Sequence, residues 1–208
     1  MLSRPIEPGQ LHCLIVSAPE TLRERFRGAS TAKIVELASH LRPDLKRGAE
    51  AETTARVLRT VARRVLALQK EAKEHEAAIA AMVRAWRPDL LSELGVGPIV
   101  AATLLCAWSH PGRCRSEAAF AMLAGTAPVP ASSGMTNRHR LNRFGDRQLN
   151  RALHTVVINR IRLDPATKAY VAARTKEGRT SREIKRCLKR YVARRLYRRL
   201  EHGGLDNL

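Results

Sequence analysis

The residues best suited to chemistry lie between Pro128 and Asn150, in PVPASSGMTNRHRLNRFGDRQLN. Ser132 and Ser133 are followed at once by Gly134, then by Arg138, His139, Arg140, Arg143, Arg147 and Arg151. A hydroxyl that attacks a phosphodiester needs an exposed, sharply turned backbone and cations that stabilise a negative transition state. Gly134 permits the turn. Guanidinium forks match phosphate oxygens. The same residues also fit a polar basic loop between two helices, and both readings stand at this point.

The elements around this stretch share its charge. The chain carries a formal net charge of +19. Met135 to Leu200 holds 20 Lys and Arg against four Asp and Glu, so most of the excess lies there. Such a bias on a folded domain is the footprint of a polyanion, most often nucleic acid. No long uncharged apolar run is present to span a bilayer. MLSRPIEPGQ is no secretory signal, so a cytoplasmic protein is expected. Cys13, Cys106, Cys114 and Cys187 are scattered, without the close spacing of a zinc site. Cys106 and Cys187 sit among apolar helical neighbours and are expected to be buried. No metal site is expected.

Ala, Leu, Arg and Glu dominate, β-branched alternation is nearly absent, and the fold class predicted is all-α. Residues 11–40 suggest two short helices, the second capped at Ser30 or Thr31. From Thr53 to Trp86, the residues Val61, Val65, Leu68, Ala72, His75, Ile79, Met82 and Trp86 alternate steps of four and three. That is a coiled-coil seam, filled either by this chain's own helices or by another copy. Pro88 ends the helix. LLSELGVGPIVAATLLCAW then reads as helix, tight turn, helix, resembling a helix-hairpin-helix. In it Gly95 and Gly97 allow the turn, and the helix N-terminus is free to hold a DNA phosphate. Ser116, Asp146 and Asp164 are placed as helix caps. The last helix, Arg182 to Leu200, sets an apolar stripe against a face of Arg and Lys, with Lys189, Arg190 and Arg194 as candidate nucleic-acid contacts. The division expected is linker helices over 1–52, a coiled-coil helix over 53–87 and a compact helical domain over 88–208.

Four motifs occur in order: LLSELGVGPIVAATLL, RSEAAFAMLAGTAPVPASSG, TNRHRLNRFGDRQLNRALH and EIKRCLKRYVAR. Together they resemble the C-terminal half of the insertion-sequence 110/116/902 family transposases, and the likeness extends from about Leu11 to Leu200. The resemblance implies a coiled coil followed by a helical domain whose serine attacks a DNA phosphodiester and becomes covalently joined to DNA. By motif position Ser133 is that nucleophile, with Ser132 as the alternative. Arg138, Arg140 and Arg143 are candidates to stabilise the phosphorane. His139 and Arg147 join them in contacting nucleic acid. The implied partners are DNA, the element's noncoding guide RNA, and a second copy of the chain through the coiled coil.

Members of the family also carry an N-terminal RNase-H-like domain with Asp/Glu/Asp/Asp metal ligands. Those positions have no counterpart here, and WSHPGRC, Trp108 to Cys114, departs from the usual acidic-glycine loop. The expectation is a transposase part that lacks catalysis alone. It needs no cofactor of its own, and magnesium enters only with the other domain. Two further functions fit the same residues: a non-enzymatic nucleic-acid-binding module, and a dimerisation partner that poisons a full-length transposase.

Overall fold

The computed structural model describes residues 8–44, 48–130, 139–140, 142 and 144–203. The fold is all-α apart from one two-residue ladder, and the chain divides into two compact units, 1–75 and 76–208. The division falls inside the long helix, whereas the expected segments placed that whole helix in a part of its own.

In the first unit, α1 (Pro8–Val16), α2 (Glu20–Arg23) with a following 3₁₀ turn (Glu24–Phe26), and α3 (Thr31–Ser39) pack with the start of α4 (Ala49–Trp86). Where two short helices were expected there are three. Leu11 and Ile15, one turn apart, are both buried and anchor α1. Ser30 caps α3, its hydroxyl accepting from the Lys33 N–H. α4 begins at Ala49, four residues before the expected start. Its buried stripe is Ala51, Ala55, Leu58, Ala62 and Val65, in steps of four and three. A four-three spacing thus holds at the start of the helix, but it is filled by this chain's own helices, and of the eight residues of the expected seam only Val65 is buried. From Leu66 to Ala78 every residue is exposed, including Leu68, Ala72 and His75 of the expected seam.

The second unit begins with the end of α4, where Ala80 and Val83 are buried and Ile79 is partly so. Then follow a 3₁₀ helix (Pro88–Ser92), α5 (Pro98–Trp108), α6 (Glu117–Leu123), β1 (Val129–Pro130), β2 (His139–Arg140), α7 (Arg147–Leu163), α8 (Pro165–Lys176) and α9 (Ser181–His202). The caps are the ones the sequence signals. Ser116 accepts from the Ala119 N–H, Asp146 from Gln148 and Leu149, and Asp164 from Ala166 and Thr167. Thr180 and Glu183 complete a capping box on α9. α9 is the central element, packed against both α6 and α7. It buries Ile184, Leu188, Val192, Ala193, Leu196 and Leu200. Tyr191 and Arg195, placed near that stripe by helical spacing, lie exposed at its edge. Cys106 and Cys187 are exposed as well, and only Cys114 is buried. Each of the two exposed thiols sits next to the apolar stripe of its helix rather than on it.

The end of α9 is tied down by a buried cation. Arg87 donates to the Arg199 carbonyl at 2.7 Å, which also accepts from the Gly203 N–H, and to the Leu200 carbonyl at 3.1 Å, in the last turn of the helix. Its remaining N–H groups hold Asp89 at 2.8 and 2.9 Å, and its guanidinium lies 5.8 Å from the Trp108 ring centre. Trp108 and Gly112 both donate to Glu201, and Tyr197 donates to the Cys114 carbonyl. The unusual WSHPGRC segment is thus a seat for α9. Burial raises the Asp89 pKa, but the hydrogen bond and charge of Arg87, with the charge of Arg199, outweigh it and set the carboxyl below its ordinary 3.8. A depressed carboxylate stabilises the fold above its unfolded value, and that contribution is lost as pH falls through the folded value. The stability gap between the wild type and Asp89→Asn should therefore shrink as pH drops from about 6 to about 3 in urea titrations.

Candidate nucleic-acid interface

The serine segment is bracketed by β1 and β2, with Val129 opposite Arg140 and Pro130 opposite His139. Ser132, Ser133 and Arg138 lie between these strands and, with Arg143, outside the described residues. The described residues on either side of the segment meet at the end of α6. The last turn of α6 leaves carbonyls that the helix cannot satisfy. The chain returning from the serine segment donates to three carbonyls there, of which that of Met122 also accepts from the Gly125 N–H. Asn142 Nδ2 donates to Met122 at 3.2 Å, the Asp146 N–H to Leu123 at 2.7 Å, and Asn150 Nδ2 to Ala124 at 2.7 Å.

Two glycines make this approach possible. Gly125 closes α6 in the left-handed region, at φ +63°. Gly145 crosses it so closely that a Cβ there would lie 2.2 Å from the Gly125 nitrogen and 2.3 Å from its Cα. The crossing is backbone on backbone. The neighbouring Phe144 N–H donates to Asn142 Oδ1 at 3.0 Å, and the Phe144 ring stands 99 % exposed.

Beside this crossing lies a pocket of about 160 Å³, whose walls include Gly125, Arg140, Asn142, Arg186, Lys189 and Arg190. Four of those side chains are cationic, and among the described residues no carboxylate forms an ion pair with any of them. Lys189 donates to Asn150 Oδ1 at 2.8 Å, linking the cationic wall to the glycine crossing. Burial, and then the charge of Arg186, push the Lys189 pKa down. His154 on α7 is also held low, by burial and by the charges of Lys189 and Lys185. The ammonium is disfavoured where it stands, so an anion in the pocket would relieve it. The arrangement suits a phosphate.

The rest of the α9 basic face differs from the expectation. Within the helix sequence from Arg182 to Leu200 only Glu183 stands among these cations. Arg194 donates to Glu117 at 2.8 Å, and Arg198 pairs with the same carboxylate at 3.0 Å. Buried Glu93 gathers Arg160 and Arg195, each at 3.0 Å, and Arg199 at 3.7 Å. These acids come from other elements, 77 or more residues away in the case of Arg194, so helical spacing could not reveal them. Of the three α9 candidates, Lys189 and Arg190 line the pocket, while Arg194 is engaged in an ion pair. Arg147, on the first turn of α7, and Arg151, one turn on, are exposed. Of His139 the backbone alone is described.

The Gly-Val-Gly-Pro turn is preceded by a five-residue 3₁₀ helix and followed by α5. Gly95 has φ +87°, and a Cβ on it would meet the Val156 carbonyl at 3.1 Å and the Asn159 Cβ at 3.2 Å. Its role here is close packing on α7. Gly97, the N-cap of α5, has open space around it. Among the described residues no three His, Cys, Asp or Glu side chains gather in a way that could hold a metal ion, so these residues do not fit the magnesium the family implies. No described helix is long and apolar enough to cross a membrane.

Sequence reasoning set Arg186 on the basic face of the last helix without singling it out, and it missed Asn150 and the Gly125–Gly145 pair. A signal for the last existed in FGD, where glycine directly precedes a helix cap. The crossing makes a sharp prediction. Gly145→Ala should cost at least about 2 kcal/mol in urea denaturation, because backbone atoms cannot yield the space. Gly9→Ala, with nothing within 4 Å of the added methyl, should be neutral or stabilising by about 0.4–1 kcal/mol.

Residues 88–172 match the family model described as Transposase IS116/IS110/IS902 family. The insertion element IS900 uncharacterized 42 kDa protein of Mycobacterium paratuberculosis is 33% identical over 133 residues, 62% of this chain and 33% of that protein. The insertion element IS110 uncharacterized 43.6 kDa protein of Streptomyces coelicolor is 32% identical over 127 residues, 60% of this chain and 31% of that protein. The chain spans about a third of the length of these curated relatives. With the family match running from the 3₁₀ helix through the serine segment into α8, the chain resembles the transposases of the IS116/IS110/IS902 family.

Proposed function

We propose that this chain acts in DNA transposition, binding DNA and supplying a serine nucleophile for strand cleavage and exchange. The observation that carries the reading is the unpaired cationic pocket of Arg140, Arg186, Lys189 and Arg190 at the base of the serine segment, inside or beside the family match. A DNA phosphate seated there would bring its phosphodiester to the segment that holds Ser133. The Ser133 oxygen then attacks phosphorus as its proton passes to water, the P–O bond to one strand breaks, and the departing strand oxygen takes up a proton from water to become a hydroxyl. The new serine–phosphate ester keeps the bond for rejoining to another strand. Arg138, Arg140 and Arg143 stabilise the charge on the phosphorane. Arg147, His139 and the open α5 N-terminus at Gly97 add backbone contacts, as does Gly95 through the turn it permits. Metal chemistry belongs to the acidic half of the assembled enzyme, so this chain alone is inactive. The guide RNA of the element is a second polyanion for the same basic surfaces.

The reading extends to self-association. Leu68, Met82 and Trp86 are exposed large apolar side chains on α4, spaced along the expected seam. Leaving such side chains in water forgoes roughly 1.5–3 kcal/mol each. A second copy fits the heptad spacing. A non-enzymatic nucleic-acid-binding role is the second reading, since the cationic pocket works for binding without any serine.

Two experiments test these points. The chain, fused to the N-terminal part of a full-length relative, should form a covalent protein–DNA adduct. Ser133→Ala should abolish it, while Ser132→Ala should leave it. An adduct that survives Ser133→Ala removes that serine from the chemistry, and no adduct from any fusion favours the binding-only role. Separately, sedimentation should show the wild type as an oligomer at micromolar concentration and Leu68→Asp as a monomer. A monomeric wild type ends the seam proposal.

A further inference from the structure

Phe144 is the most exposed large apolar side chain among the described residues. It is not on a loose tip. Its own N–H is bonded to Asn142, Gly145 next to it is locked on Gly125, and Asp146 beyond is bonded to Leu123 and caps α7. The ring is therefore held out into solvent by a fixed backbone. Asn142 and Gly125 are themselves walls of the cationic pocket.

A partner for this ring must present a flat apolar face and negative charge together. The same stretch of chain supplies Arg140, Arg147 and Arg151, and the other exposed large apolar residue tied to it is Met122, whose carbonyl accepts from Asn142. One aromatic and one methionine among arginines fall short of the contiguous apolar patch that marks a protein interface. Nucleic acid has both features, a π-face on every base beside a phosphate. In a paired duplex those faces are covered by stacking, so the base must be unpaired or splayed from its neighbour.

We propose that Phe144 is a base-stacking residue, seating an unpaired base of the strand whose phosphate occupies the Arg140, Arg186, Lys189 and Arg190 pocket. This inference rests on the nucleic-acid reading above and adds a preference for strand that is open at the site. It gives the protein a means of holding a strand at a distorted step without reading its sequence.

The test measures binding of the full chain to a labelled single-stranded oligonucleotide and to the duplex of the same sequence. The variants are Phe144→Ala, Phe144→Trp and the double variant Arg186→Ala with Arg190→Ala. Circular dichroism should show the fold of Phe144→Ala unchanged, since its ring touches no core. Phe144→Ala should weaken single-strand binding about 5- to 150-fold, with a much smaller loss on duplex, and Phe144→Trp should restore it. Its salt dependence should match the wild type, because a phenyl ring neutralises no phosphate. The double arginine variant should instead flatten the salt slope by up to about 1.4 on single strands. Equal losses on both substrates, or none on either, overturn the stacking role while an altered arginine slope leaves the pocket intact. A Phe144→Ala variant that changes sedimentation but not nucleic-acid binding assigns the ring to a protein contact and overturns it too. Failure of the wild type to bind either substrate at low salt overturns the nucleic-acid reading itself.

Discussion

The second unit is built around one close approach, the crossing of Gly145 over Gly125. It brings the chain back from the serine segment near enough for the Asp146 N–H and the Asn142 and Asn150 amides to meet the last carbonyls of α6. A helix end otherwise depends on water or an added cap for those oxygens. Here the donors come from the far side of the segment, so ending α6 and closing the serine segment are one structural event. Asn150 then passes the constraint on, accepting from Lys189 and so fixing part of the cationic wall on α9. Backbone geometry, a capped helix start and a lysine position are coupled through a few hydrogen bonds.

The arginines of α9 separate into two populations with different physics. Arg194, Arg195, Arg198 and Arg199 share the carboxylates of Glu117, Glu93 and Asp89. Glu93 is buried and meets three guanidinium groups, and removing its partners would strand a charge away from water. Those arginines tie α9 to α6, α7 and the 3₁₀ helix. Lys185, Arg186, Lys189 and Arg190, earlier on the same helix, have no such ion pairs among the described residues. Like charges at helical spacing repel by a few tenths of a kcal/mol per pair. The fold tolerates that repulsion beside the serine segment and neutralises it elsewhere. That contrast locates the proposed phosphate contacts better than a count of cations along the helix.

What the sequence could show depended on how local each cause was. Ser116, Asp146 and Asp164 act within a few residues, and their caps were readable from residue type and position. The heptad period of α4 was readable, but its buried start was hidden because Ala51, Ala55 and Ala62 carry little hydrophobic signal. Leu11, Phe26 and Ile34, buried in the same cluster, lie 17 residues or more before Ala51 along the chain. The Arg194–Glu117 pair and the Gly145 crossing are tertiary contacts, and nothing in spacing along one helix or one loop encodes them. Gly95 sat between the two cases. Its turn was predictable, yet the close approach of Val156 that requires a glycine appears only in three dimensions.

These features bear on how the proposed chemistry would be organised. A serine hydroxyl is a weak nucleophile, and a phosphodiester must be placed and its charge met before attack is productive. Cations on a flexible surface would have to be ordered during that step. Here Arg186, Lys189 and Arg190 stand on a helix whose other face is fixed by Leu188, Val192 and Leu196, and whose end is held by Arg87. Lys189 stands partly desolvated and beside the like charge of Arg186, and both lower its pKa. A phosphate arriving there replaces missing water and answers several cations at once. In the proposed enzyme the ordering of the electrostatic groups is therefore done by folding, and the serine segment is left to bring only its hydroxyl to a phosphate already in place.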